Sequence, residues 1–253
     1  MAKGKKSAID MDIFCSAADA MKAQQQKTVL PVSPSIDYRL GGGIIEGSMV
    51  LVRGRPKTGK SLTSMEITVN ALKQGRWVMY FDTENRLTAS KYFVIDGFDI
   101  LGHPRFLLMN AESNKTGEFI SGEKMYAQII QMMKTPKYKG AVYIIDSLSN
   151  VLTQDLIDDP IVTSQRRDQT PKLNADFCKK VTPFMRASNS ILVGIQHMQK
   201  SMDPNLHGKL LPIGGDRLEY TADIVLECKH GPLDLDGNNV SRGHDKGAEP
   251  SEG

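Results

Sequence analysis

Three short stretches carry residues whose types and spacing suit chemistry on a phosphate. The first is GRPKTGKS, residues 54–61, which fits the pattern G-x-x-x-x-G-K-[ST] at Gly54, Gly59, Lys60 and Ser61. Glycines there let the backbone curl so that its N–H groups point at phosphate oxygens. A helix start directly after the loop adds unpaired N–H groups and a positive dipole end. The candidate nucleotide contacts are therefore Gly54, Arg55, Pro56, Lys57, Thr58, Gly59, Lys60, Ser61 and Leu62. Pro56 lacks an N–H and must sit where none is needed. Lys60 would reach the outer phosphates, and the Ser61 hydroxyl would ligate Mg²⁺, so ATP and Mg²⁺ are the expected cofactors. The second stretch, AVYIIDSLSNV at 141–151, ends an apolar run on Asp146, a second candidate for holding the metal through water. The third, YFDTENRL at 80–87, places Glu84 after another apolar run, where a carboxylate can orient or deprotonate an attacking water.

These residues work together only if the elements bearing them end at one edge of a sheet. From about residue 47 the chain alternates apolar runs with helical patterns. Strands are expected at Met49–Arg53, Trp77–Phe81, Phe106–Met109, Ala141–Ile145, Ile191–Ile195 and Ile224–Cys228. Near-continuous apolar runs suit strands covered on both faces, as in parallel sheets. Helices are expected at Ser61–Lys73, Ser121–Met133 and Asp176–Arg186, with a further short one at Ile13–Gln25. The fold class is α/β, a mostly parallel central sheet flanked by helices. The expected division is an N-terminal arm at 1–30, a core at 31–232 and a polar, disordered tail at 233–253.

Composition narrows the class. The 253 residues are 40% hydrophobic and 24% charged, enough for a real core. The net charge of +3 is too slight to argue nucleic-acid binding by itself. Cys15, Cys178 and Cys228 lie far apart without metal-ligand spacing, which reads as a reducing cytosol. No run approaches the roughly 20 apolar residues of a membrane span, so no membrane partner is expected.

In their order and spacing, the three stretches resemble the RecA-type recombinases, with a P-loop NTPase core. SILVGIQHMQ, residues 190–199, resembles the family strand that ends in a γ-phosphate-sensing polar residue, here Gln196, with or without His197 beside it. IGGDRLEYTADIVLEC, residues 213–228, resembles the glycine pair, helix and strand after the second DNA-binding loop. The likeness covers roughly 30–230 and is nearest to the UvsX recombinases of large bacteriophages. It implies a DNA-dependent ATPase that assembles on single-stranded DNA and exchanges strands in recombinational repair. Single-strand-binding and mediator proteins are the implied accessory partners, and the implied setting is a bacterial or phage-infected cytoplasm.

By the same likeness, one DNA loop falls at about Leu152–Lys172, with Arg166 and Arg167. The other falls at about His197–Gly214, with Lys200, His207 and Lys209. Phe14 and Ala17 form F-x-x-A, resembling the segment through which such recombinases polymerise into a filament or ring. The same residues also suit a small helix packing on its own core.

The resemblance weakens after Cys228, where the family core normally continues, and fast ATP turnover is less firmly implied. Other readings stay open. They are a KaiC-like or helicase-type ATPase, and a non-hydrolysing accessory or truncated recombinase relative.

Overall fold

The computed structural model describes residues 15–87, 94–95, 97–112, 116–158, 169–201 and 209–230. After a helix α1 (Ala17–Gln25), strands β1 (Val29–Leu30) and β2 (Ile44–Ile45) pair antiparallel around helix α2 (Pro34–Leu40). The main sheet then forms from β3 (Met49–Gly54), β4 (Val78–Asp82), β7 (Phe106–Asn110), β8 (Val142–Asp146), β9 (Ile191–Lys200), β10 (Leu210–Pro212) and β11 (Ile224–Cys228). Strands β5 (Val94–Ile95) and β6 (Phe98–Asp99) make a separate antiparallel ribbon.

Six strands run in the order β11-β3-β9-β8-β4-β7, and every pairing along that path is parallel. Antiparallel β10 folds back on the far end of β9. The long crossovers are helices: α3 (Lys60–Lys73), α4 (Gly122–Met133) and α6 (Thr170–Ala187), with short α5 (Gln154–Asp158) and α7 (Arg217–Thr221). The chain leaves β3 for β4, three places away in the sheet. Such a change of direction leaves a crevice at the carboxyl ends of the strands.

Alternation along each strand divides the core into two layers. Val50, Val52, Tyr80, Ile144, Val193 and Ile195 face α3 with Met65, Val69 and Leu72. Met49, Leu51, Met79, Tyr143, Ile145 and Leu192 face α4 and α6. Helix α4 buries Met125, Tyr126, Ile129 and Met133, the spacing of one helical face. Each such side chain contributes about 1.5–3 kcal/mol on leaving water.

The observed elements begin or end within a few residues of the expected ones, with three larger differences. Helix α6 starts at Thr170 rather than Asp176, because Pro171 sits in its first turn where a missing N–H costs nothing. Strand β9 runs on to Lys200, so part of the expected second loop is a β-hairpin. The expected first loop contains α5. Among the described residues, no helix is long and apolar enough to cross a membrane. The polar tail at 233–253 lies outside the described residues.

Candidate functional site

The loop between β3 and α3 is shaped by local backbone chemistry. Gly59 at the start of α3 has φ 94°, and Lys57 has φ 63°, both left-handed. Gly54 is required by contact: a Cβ there would run into the Cys228 carbonyl of β11 and the Thr58 hydroxyl. Lys60 opens α3 and is 5% exposed, with its Nζ donating to the Arg55 carbonyl at 2.8 Å. Burial pushes its pKa below the usual lysine range, against the pull of nearby acidic groups. Among the described residues, no carboxylate forms an ion pair with it. A buried, unneutralised ammonium at a helix start fits the outer phosphates of a nucleotide.

Ser61 donates its hydroxyl hydrogen to Asp146 Oδ2 at 2.8 Å. That commits the hydrogen and leaves the oxygen lone pairs for a cation. Tyr80 of β4, wholly buried, donates to the same Asp146 oxygen at 2.8 Å. The Ser64 hydroxyl lies 3.1 Å from Tyr80 Oη and donates to the Ser61 carbonyl. Asp146 is thus held from two sides. Burial pushes its carboxyl up, and the Ser61 and Tyr80 hydrogen bonds hold it back. A hydroxyl and a carboxylate in this arrangement could hold Mg²⁺ together with phosphate oxygens, the carboxylate acting through water.

Glu84 follows β4 through a turn that Asp82 builds by accepting from the Glu84 and Leu87 N–H groups. Its Oε1 receives the Ser147 hydroxyl at 2.9 Å and the Asn150 amide at 2.5 Å, and lies 2.7 Å from His197 Nε2. Its Oε2 pairs with Arg86 at 2.9 Å. The His197 contact first, and the Ser147 hydrogen bond with it, hold the Glu84 pKa at about 2. A carboxylate that acidic is a poor proton acceptor at neutral pH, so the geometry suits orienting a water more than deprotonating it.

The two polar residues at the end of β9 separate by strand alternation. His197 continues the Val193–Ile195 face, toward α3 and Glu84. Gln196 continues the Leu192 face; it is fully buried, and its Nε2 donates to the Ile213 carbonyl at 3.1 Å. The contact with Glu84 therefore belongs to His197 and not to Gln196. Ser149 ties both together, accepting from the His197 N–H at 2.8 Å and donating to the Ile213 carbonyl. Asn174 of α6, also buried, donates to the Leu148 and Gly214 carbonyls and accepts from Tyr126 at 2.5 Å.

The remaining expected contacts scatter. Lys200 is exposed and lies in β9, paired with Leu210, while Lys209 is exposed just before β10. Leu62 is exposed on the first turn of α3. Ala17 is exposed and opens α1. Phe14, Arg166, Arg167 and His207 lie outside the described residues. Sequence reasoning missed Tyr80, Ser147, Asn150 and Asn174; only the position of Ser147 and Asn150 beside Asp146 could have pointed to two of them.

Comparison with known proteins adds a family. The model described as "ATPase: KaiC" matches residues 32–159. The DNA repair and recombination protein RadB of Methanosphaera stadtmanae is 25% identical over 213 residues, 81% of this chain and 82% of that protein. Protein RecA of Mycoplasma pneumoniae is 25% identical over 233 residues, 88% of this chain but 62% of that one. The DNA repair protein RadA of Campylobacter jejuni is 26% identical over 192 residues, 76% of this chain and 36% of that one. The chain thus spans most of RadB and a smaller part of RecA and RadA.

Proposed function

The chain belongs to the RecA-type ATPase family that the KaiC model describes, and from that premise we propose that it is an ATP-dependent, single-stranded-DNA-binding recombinase of homologous recombination and repair. The observation that carries the reading is the convergence of two pairs, Ser61 with Asp146 and Glu84 with His197, at the carboxyl edge of a parallel sheet. In this reading, the loop N–H groups and Lys60 bind the triphosphate. Ser61 and Asp146 would hold Mg²⁺, which when bound would supply positive charge beside the transferred phosphoryl group. Glu84 orients the water, and His197, rather than Gln196, senses the γ-phosphate. Names of relatives in DNA repair and recombination support the choice of DNA as partner.

The β9–β10 hairpin is the proposed second DNA loop, with Lys200, His207 and Lys209 meeting phosphates. The first loop contributes Arg166 and Arg167. Gln196 and Ser149 tie the base of the hairpin to the residues that hold Glu84, a route from nucleotide to DNA. Self-assembly through Phe14 and Ala17 into a filament or ring completes the proposal, with single-strand-binding and mediator proteins as partners. A concavity of about 320 Å³ beside edge strand β7, lined by Met109, Phe119, Ile120 and Met125 and by polar Thr116, Glu118, Lys124 and Gln128, is a candidate for the aromatic anchor. The likeness to phage UvsX proteins belongs to the same proposal.

A KaiC-like regulatory ATPase is the second reading, favoured by the family model over 32–159. Anisotropy of a labelled single-stranded oligonucleotide, with and without a non-hydrolysable ATP analogue, separates them. The recombinase reading expects DNA binding that the analogue strengthens, and a strengthening that Lys60→Ala abolishes. Equal, weak binding in all cases would support the second.

A further inference from the structure

The opposite edge of the sheet carries a basic groove. It lies where β4, β7 and β8 begin, about 15 Å from the nucleotide edge at 3.3 Å per strand residue. The concavity measures about 600 Å³, and its lining includes Arg76, Arg105, Lys137, Lys139 and one acid, Glu46. Four cations against one carboxylate leave three positive charges, equal to the formal charge of the whole chain.

Arg105 and Lys137 are held in place by neutral groups, while Lys139 is exposed at the rim. The Arg105 guanidinium donates to the Gly75 carbonyl. Gly75 has φ 74°, and a side chain there would press on that guanidinium. Lys137 Nζ sits 4.7 Å from the Trp77 ring centre and 5.3 Å from that of Tyr138. The two rings meet edge to face at 5.4 Å. Glu46 is consumed within the floor: it pairs with Arg76 at 2.8 Å and accepts from Thr28. A guanidinium held by a carbonyl, or an ammonium held by a ring, keeps its full charge toward solvent.

We propose that this groove is a second binding site for a nucleic-acid backbone, a single strand of DNA whose phosphates meet Arg105, Lys137 and Lys139. The choice of DNA rests on the function proposed above; the polyphosphate chemistry rests on the groove. Fixed cations beside an aromatic edge suit a repeating anion, and binding of this kind is insensitive to sequence and sensitive to salt. A site here would let one subunit hold a strand away from the nucleotide edge.

Trp77 is the only tryptophan of the chain and lines the groove, so the protein carries its own reporter. The experiment titrates a fluorescein-labelled oligodeoxythymidylate into full-length protein without nucleotide. Anisotropy of the label and, with unlabelled oligonucleotide, Trp77 emission are followed at several salt concentrations. The expected result is a Trp77 change that saturates with the anisotropy. The Arg105→Ala/Lys137→Ala/Lys139→Ala variant should flatten the salt slope by about 2, at roughly 0.7 per lost phosphate contact. Its DNA-free ATP hydrolysis and melting temperature should stay at the wild-type values. DNA binding with silent Trp77 emission and an unchanged slope overturns this inference alone. Failure of the oligonucleotide to bind without nucleotide overturns this inference alone, and failure also with a non-hydrolysable ATP analogue overturns the recombinase reading as well. A Trp77 response to poly-glutamate and not to DNA assigns the groove to an acidic protein and also overturns it.

Discussion

His197 Nε2 lies 2.7 Å from Glu84 Oε1, joining β9 to the turn after β4 across β8, the strand between them. The contact joins the residue proposed to sense the γ-phosphate to the residue proposed to orient water. Its first consequence is a pH dependence. The Glu84 pKa is held at about 2, well below the usual carboxylate range, by His197 first. A depressed carboxyl pKa contributes stability that is present above the unfolded value and lost as pH falls through the folded value. Wild type should therefore exceed Glu84→Gln in thermal stability at neutral pH by about 1–3 kcal/mol. The gap should narrow between about pH 4.5 and 2, as followed by circular dichroism melts. His197→Ala should narrow it already at neutral pH, whereas Gln196→Ala should leave the titration of Glu84 in place.

Lys60 sits buried, and among the described residues no carboxylate pairs with it, so it costs stability in the absence of phosphate. Lys60→Met is expected to melt at or above the wild-type temperature while losing at least about a hundredfold in affinity for a fluorescent ATP analogue. A melting temperature well below wild type would show the ammonium to be a structural group instead.

Tyr80 is fully buried and donates to the Asp146 oxygen that also receives Ser61. Tyr80→Phe removes one donor and keeps the ring volume. A stability loss of about 1–3 kcal/mol is expected, the range for a hydrogen bond to a charged group. Nucleotide binding should weaken in Mg²⁺ and stay unchanged in EDTA, because the phosphate loop itself is untouched. Equal loss in both conditions would place the role of Tyr80 in loop folding.

Asn174 gathers the Leu148 and Gly214 carbonyls and the Tyr126 hydroxyl in one buried place. Asn174→Ala should cost about 3 kcal/mol in denaturant unfolding, since it strands several buried polar groups. Asn174→Asp keeps an acceptor for Tyr126 but sets a buried carboxyl against the Leu148 and Gly214 carbonyls in place of both donors. It should loosen the hairpin, read as faster amide exchange at residues 209–213.

The apolar runs that became β3, β4 and β8 were legible because both sheet faces are covered, and burial on both sides writes itself as unbroken hydrophobicity. The phosphate loop was legible because its chemistry needs fixed spacing. Gln196 was harder. Two adjacent polar residues end β9, and which one turns toward Glu84 depends on register with β3 and β8, a long-range property. Tyr80 reads in the sequence as one more core aromatic; only the fold brings its hydroxyl to Asp146. Asn174 falls ahead of the expected helix Asp176–Arg186, and only the earlier start of α6 brings it into the core. Lys200 looked like loop because an antiparallel hairpin beyond the sheet leaves no apolar pattern on an exposed strand.

The most direct measurement is ATP hydrolysis by the purified protein with and without single-stranded DNA, beside Lys60→Ala and Glu84→Gln. The expected result is turnover that DNA stimulates and that both substitutions abolish. ATP binding with no stimulation by DNA, or hydrolysis that survives Glu84→Gln, would contradict the proposed recombinase.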